Sequence, residues 1–147
     1  GTRATVFVND RVDVALAAGA HGVHLDRTGL PPDVARRIAG EDLVVGATAH
    51  TLEEATEAQE QGADYLFFGP IFPPLSRAAD HPPVGIAKLE TVLRTVRIPV
   101  YAIGGITPEC VTALRGLPLG GLAMISAFVR APSIPELVRQ IHGKPWQ

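Results

Sequence analysis

Tyr101-Ala102-Ile103-Gly104-Gly105-Ile106-Thr107-Pro108-Glu109 joins a short apolar run, a pair of glycines and a helix start. Thr107 suits an N-cap, Pro108 the first helical position, and Glu109 the positive end of the helix dipole. Glycine lets a backbone approach a ligand closely, and the free N–H groups of a helix start favour an anion. The stretch therefore reads as the end of a parallel strand carrying a phosphate cup, with a plain strand-to-helix turn as the alternative. Repetition of the same layout along the chain favours the cup.

Outward from it, nearly continuous apolar runs recur at Thr5 to Val8, Gly22 to Leu25, Leu43 to Ala47, Tyr65 to Gly69, Val100 to Ile103 and Leu122 to Ile125. Such runs fit strands buried on both faces of a parallel sheet. Between them lie helical patterns: Leu89, Val92, Leu93 and Val96 follow the i, i+3, i+4, i+7 rule, as do Ile134, Leu137, Val138 and Ile141. Thr51 with Glu54 and Ser133 with Glu136 have capping-box spacing. These are βα units. Their similar size, and the lack of a GxGxxG after the first strand, favour a TIM-type (β/α)8 barrel over a doubly wound sheet. The runs quoted supply six βα units, two short of closure, over a single domain at 1–147. An open barrel leaves strand edges bare, so a further segment or a second copy forming a homo-oligomer is expected to cover them.

Composition narrows the function. A net charge of -2 over 147 residues, with no basic cluster, argues against nucleic acid. No apolar run reaches the roughly 18 to 20 residues of a membrane span, which excludes a membrane partner of that kind. The single cysteine, Cys110, cannot form an internal disulfide and suits a reducing cytoplasm. It falls in the first turn of a helix, where packing is its expected role.

Active sites of such barrels lie at the C-terminal ends of the strands. Those positions hold Asn9 and Asp10, His24 with Asp26, Thr48 and His50, the loop from Gly69 to Pro83, Gly104 with Gly105, and Ile125 with Ser126. His24 sits inside an apolar run and reads as a hydrogen-bonded core histidine. Asn9 or Asp10 also reads as a helix N-cap.

At these positions the chain resembles the thiamine phosphate synthase/TenI family. The likeness runs through Val8-Asn9-Asp10-Arg11-Val12-Asp13, Gly22-Val23-His24-Leu25, Gly46-Ala47-Thr48-Ala49-His50-Thr51, Gly69-Pro70-Ile71-Phe72 and Ala102 to Pro108, in order and with matching gaps. It implies a TIM-type (β/α)8 barrel of which this chain would supply the last six βα units, acting on a phosphorylated small-molecule substrate. Asn9, as a substrate ligand, and Asp10 match the family's Asn-Asp pair, in which the Asp is one of two carboxylates holding the Mg2+ that neutralises a departing pyrophosphate. Thr48 matches a serine beside the reacting rings, and His50 a histidine that moves protons in thiazole tautomerases. Gly104, Gly105, Ile125 and Ser126 match two turns whose amides hold a thiazole phosphate, and a side chain on Gly105 is expected to stand between amides and phosphate.

The chain departs from the family pattern in three places. Gly29 falls where a second Mg2+ carboxylate is expected, with Asp26 three residues early. Pro74-Leu75-Ser76-Arg77 replaces a Thr-x-Thr-Lys pattern, leaving Ser76 and Arg77 as phosphate ligands. The strand that bears a basic pyrophosphate-binding cluster has no counterpart among the six runs. The resemblance thus implies a TenI-like tautomerase, an isomerase needing no cofactor. The alternatives are a Mg2+-dependent thiamine phosphate synthase, or an inactive fragment or phosphate-binding module.

Overall fold

The computed structural model describes residues 4–73 and 82–142. Six parallel strands lie in sequence order: β1 Phe7–Asn9, β2 Gly22–Leu25, β3 Val44–Ala49, β4 Tyr65–Phe68, β5 Val100–Ile103 and β6 Gly121–Ala123. Helices α1 Val12–Ala17, α2 Pro32–Ala39, α3 Leu52–Glu60, α4 Gly85–Thr95 and α5 Pro108–Val111 alternate with them, and α6 Ser126–Arg130 and α7 Ile134–His142 follow β6. The result is a TIM-type half-barrel. Among the described residues, β1 and β6 are each paired on one side only.

Strand alternation divides the side chains between two faces. One face packs on the helices: Val23, Leu25, Val45, Leu66, Phe68, Val100 and Ala102 are buried against α-helical partners such as Ala15, Ala35, Leu89 and Val92. Burial of each large side chain contributes about 1.5–3 kcal/mol. The other face is the inside of the half-barrel and carries rings. Phe7 and Tyr65 meet edge to face at 5.6 Å, Tyr65 and Tyr101 likewise at 5.6 Å, and His24 lies 4.3 Å from Phe67 between ring centroids.

The expected burial on both faces holds for β2, all of whose residues are buried, but not for β4 or β5, where buried and half-buried residues alternate. Strand limits also shift: β1 ends at Asn9, β3 extends to Ala49, and β6 begins at Gly121.

On α4, Leu89 and Val92 are fully buried, as the apolar stripe predicts. On α7 only half the stripe is buried: Leu137 and Ile141 pack inward, while Ile134 and Val138 stay exposed. Val138 lines a cavity of about 350 Å³ with Leu122, Met124 and Phe128, beside the unpaired edge of β6. At the N-terminal ends of β3 and β4, Arg36 of α2 pairs with Asp64 at 2.5 Å and donates to the Leu43 carbonyl at 2.8 Å. The Asp64 carboxylate also accepts the Val45 N–H at 2.7 Å, which fixes the start of β3. No described helix is long and apolar enough to cross a membrane.

Candidate active site

Because every strand runs the same way, their C-terminal ends gather the polar residues picked out in the sequence. Asp10 follows β1 in the left-handed region at φ 59°, which aspartate tolerates better than most residues. Its N–H donates to the His24 carbonyl at 2.9 Å, and its Oδ1 accepts the Asp26 N–H at 2.7 Å. Arg11 is the N-cap of α1, so neither Asn9 nor Asp10 caps that helix. Asn9 is exposed at the strand end.

A side chain on Gly29 would touch Asp10 Oδ1, its Cβ lying 2.7 Å away. Gly29 therefore stands where a second carboxylate would face Asp10, and it offers none. The Asp26 carboxylate turns to its own loop instead, accepting from Arg27 N at 2.7 Å and Thr28 Oγ1 at 3.4 Å. Among the described residues no group of three or more His, Cys, Asp or Glu could hold a metal. This donor set does not fit a two-carboxylate Mg2+ site.

Thr48, half-buried near the end of β3, has its Oγ1 2.9 Å from His24 Nε2, and His24 Nδ1 lies 3.1 Å from the Tyr65 hydroxyl. His24 is only 8% exposed. It is the hydrogen-bonded core histidine expected, yet its second partner is a candidate site residue. Burial pushes its pKa below the ordinary histidine value, while the charges of Asp10 and Asp26 pull it up. Burial likewise pushes the Tyr65 hydroxyl up to about 12, with the neighbouring Tyr101 adding to the rise.

His50 bridges two strand ends. Its Nδ1 lies 2.5 Å from the Gly69 carbonyl. A carbonyl only accepts, so Nδ1 carries the proton and, in the neutral ring, Nε2 is the basic nitrogen. The Thr51 hydroxyl caps α3 by accepting the Glu54 N–H at 3.1 Å. The Glu54 carboxylate, however, accepts the His50 N–H at 2.6 Å rather than closing back on the cap residue. The capping pair therefore also holds His50 in place.

After β4, the chain docks along the end of β5: Ile71 N–H donates to the Ile103 carbonyl at 2.9 Å and Phe72 N–H to the Gly104 carbonyl at 3.1 Å. Gly104 (φ 89°) and Gly105 (φ 66°) occupy backbone that favours glycine. A Cβ on Gly104 would meet Pro70, and one on Gly105 would meet the Phe72 and Pro73 carbonyls. A side chain on Gly105 would thus strike the docked loop. This corrects the expectation that it would stand between amides and phosphate.

Ile125, 73% exposed, is the N-cap of α6, and Ser126 is the first residue of that helix. The Gly104-Gly105 turn and this helix start follow the neighbouring strands β5 and β6. Ser76 and Arg77 lie outside the described residues. Cys110 is the third residue of α5, and its Sγ accepts the Thr107 N–H at 3.0 Å, a capping contact rather than a reactive one.

Sequence reading missed three partners: Tyr65 on His24, Glu54 on the His50 N–H, and the Phe72-Pro73 carbonyls over Gly105. The first was within reach, since β-strand alternation places Tyr65 on the inner face with Phe67.

Parallel βα units with polar residues gathered at the C-terminal strand ends define a TIM-type scaffold. The chain belongs to the thiamine monophosphate synthase family, whose model matches residues 1–128. It is 49% identical over 129 residues to the thiamine-phosphate synthase of Anaeromyxobacter dehalogenans, covering 88% of this chain and 58% of that one. The thiamine-phosphate synthase of Dictyoglomus turgidum is 38% identical over 138 residues, covering 94% and 62%. Among solved structures, thiamine phosphate pyrophosphorylase from Pyrococcus furiosus superposes with a TM-score of 0.85 at 39% identity, covering 95% of this chain and 66% of that one. The chain spans about 60% of the length of these two curated relatives.

Proposed function

We propose that the chain acts in thiamine biosynthesis as a thiamine-phosphate synthase, joining hydroxymethylpyrimidine pyrophosphate to a thiazole phosphate. The observation that carries this reading is 38–49% identity over most of the chain to relatives named for that activity. The isomerase reading, preferred from the three departures from the family pattern, gives way because those relatives carry the synthase name.

In the proposed reaction the thiazole nitrogen attacks the pyrimidine methylene carbon. The carbon–oxygen bond to pyrophosphate breaks, and pyrophosphate leaves with the electron pair. Gly104, Gly105, Ile125 and Ser126 hold the thiazole phosphate through backbone amides, joined by Ser76 and Arg77. Asn9 and Thr48 orient the reacting rings, and His50 presents its Nε2 beside them as a hydrogen-bond acceptor; the substitution at carbon itself transfers no proton. Asp10 faces the pyrophosphate side. No step is assigned to Mg2+, because Asp10 lacks its partner carboxylate.

The test is incubation with both substrates in buffer containing Mg2+, with chromatographic detection of thiamine phosphate. Thiamine phosphate formation is the expected result. Isomerisation of a thiazole carboxylate phosphate without condensation would restore the tautomerase reading.

A further inference from the structure

The row of contacts Tyr65–His24–Thr48 crosses three adjacent strands on the inner face. Tyr65 on β4, His24 on β2 and Thr48 on β3 meet at 3.1 and 2.9 Å through the two ring nitrogens of His24. Phe67 packs on the imidazole at 4.3 Å, which leaves the ring little freedom to turn. One neutral imidazole has one donor and one acceptor nitrogen, so the two hydroxyls must play opposite parts. The phenol is the more acidic hydroxyl and the better donor, whereas the threonine oxygen is the more basic acceptor. The favoured pairing has Tyr65 O–H donating to Nδ1 and Nε2–H donating to Thr48 Oγ1.

We propose that His24 is a positioning residue: its Nε2–H occupies one lone pair of the Thr48 oxygen and so turns the Thr48 proton away from the imidazole, toward a ligand at the strand ends. The ligand in question is a ring nitrogen, amine or phosphate oxygen able to accept that proton. A hydroxyl fixed in this way has its proton free for the ligand and one lone pair left over, so a ligand that accepts there is favoured. This rests on the synthase reading above for what Thr48 touches.

Histidine-specific nitrogen-15 spectra at neutral pH test the arrangement itself, with His24 identified by its loss in His24→Gln. The expected pattern has a protonated Nε2 and an unprotonated Nδ1. Tyr65→Phe should move the Nδ1 resonance and Thr48→Val the Nε2 resonance. A protonated Nδ1, or an Nε2 resonance unmoved in Thr48→Val, would overturn the proposal.

Kinetics test the consequence. His24→Leu and Thr48→Val should each lower kcat about tenfold with KM little changed. His24→Gln, whose amide nitrogen reaches the place of Nε2, should recover most of that loss, and Thr48→Ser should behave as wild type. A rise in KM at constant kcat, or no recovery in His24→Gln, would contradict it. If the wild-type chain forms no thiamine phosphate, the synthase reading falls, and the nitrogen spectra still decide the hydrogen-bond arrangement.

Discussion

Gly46 faces Tyr65 across the β3–β4 register, and the Tyr65 ring fills the space that a side chain on Gly46 would need. The same pairing of glycine with a ring recurs at Gly22 with Phe7 and at Gly121 with Tyr101, each pair in register on neighbouring strands. The inner face is thus built from rings that lie across glycines on the next strand, and the Tyr65 hydroxyl reaches His24 from that position.

Gly46→Ala should therefore destabilise the fold by about 1–3 kcal/mol, the usual cost of overpacking, and displace the Tyr65 hydroxyl from His24. Urea unfolding of the variant would show the loss. A change below about 0.5 kcal/mol would mean that the ring moves aside without cost.

Buried His24 makes stability depend on pH. Its folded pKa lies below the ordinary value of 6.5, chiefly through desolvation. The unfolded chain therefore binds a proton at a higher pH than the folded chain does. This contribution is complete above about pH 6.5 and is lost as pH falls through the lower folded value. Urea midpoints measured from neutral to mildly acidic pH should fall with acid in wild type, and the fall should be smaller in His24→Gln. Equal slopes in the two proteins would show that His24 titrates alike folded and unfolded.

The order of βα units was legible because strands buried against helices leave continuous apolar runs, as at Gly22 to Leu25. The turn at Gly104-Gly105 was legible because only glycine suits its backbone. What lay hidden was contact between distant segments. The spacing of Thr51 and Glu54 signals a cap, but not that the Glu54 carboxylate grips the His50 N–H. Nothing local to Gly105 shows that Phe72 and Pro73 lie over it.

Open edges predict self-association. Val6 and Phe7 are 57% and 36% exposed at the β1 edge, and Ile125 and Val129 are 73% and 80% exposed beyond β6. Exposed apolar area costs about 25 cal/mol per Å² relative to burial, and unpaired strand edges recruit other chains. Light scattering of the 147-residue chain should show oligomers or aggregates, and a βαβα segment fused ahead of β1 should make it monodisperse. A monomer with a sharp, high-temperature transition would show that the half-barrel is stable with its edges bare.

Gly105→Val should disturb the loop after β4 before it disturbs any ligand, since the new side chain meets the Phe72 and Pro73 carbonyls. Limited proteolysis should therefore cut the variant faster than wild type near Phe72 in the absence of ligand. Wild-type resistance would place the side chain toward the ligand instead.

The most direct test of the proposed site is calorimetric titration of the chain with the thiazole phosphate and with the same thiazole alcohol lacking its phosphate. The phosphorylated ligand should bind at least about tenfold more tightly, a difference of about 1.4 kcal/mol. Equal affinity for the two would contradict a phosphate-holding site at the ends of β5 and β6.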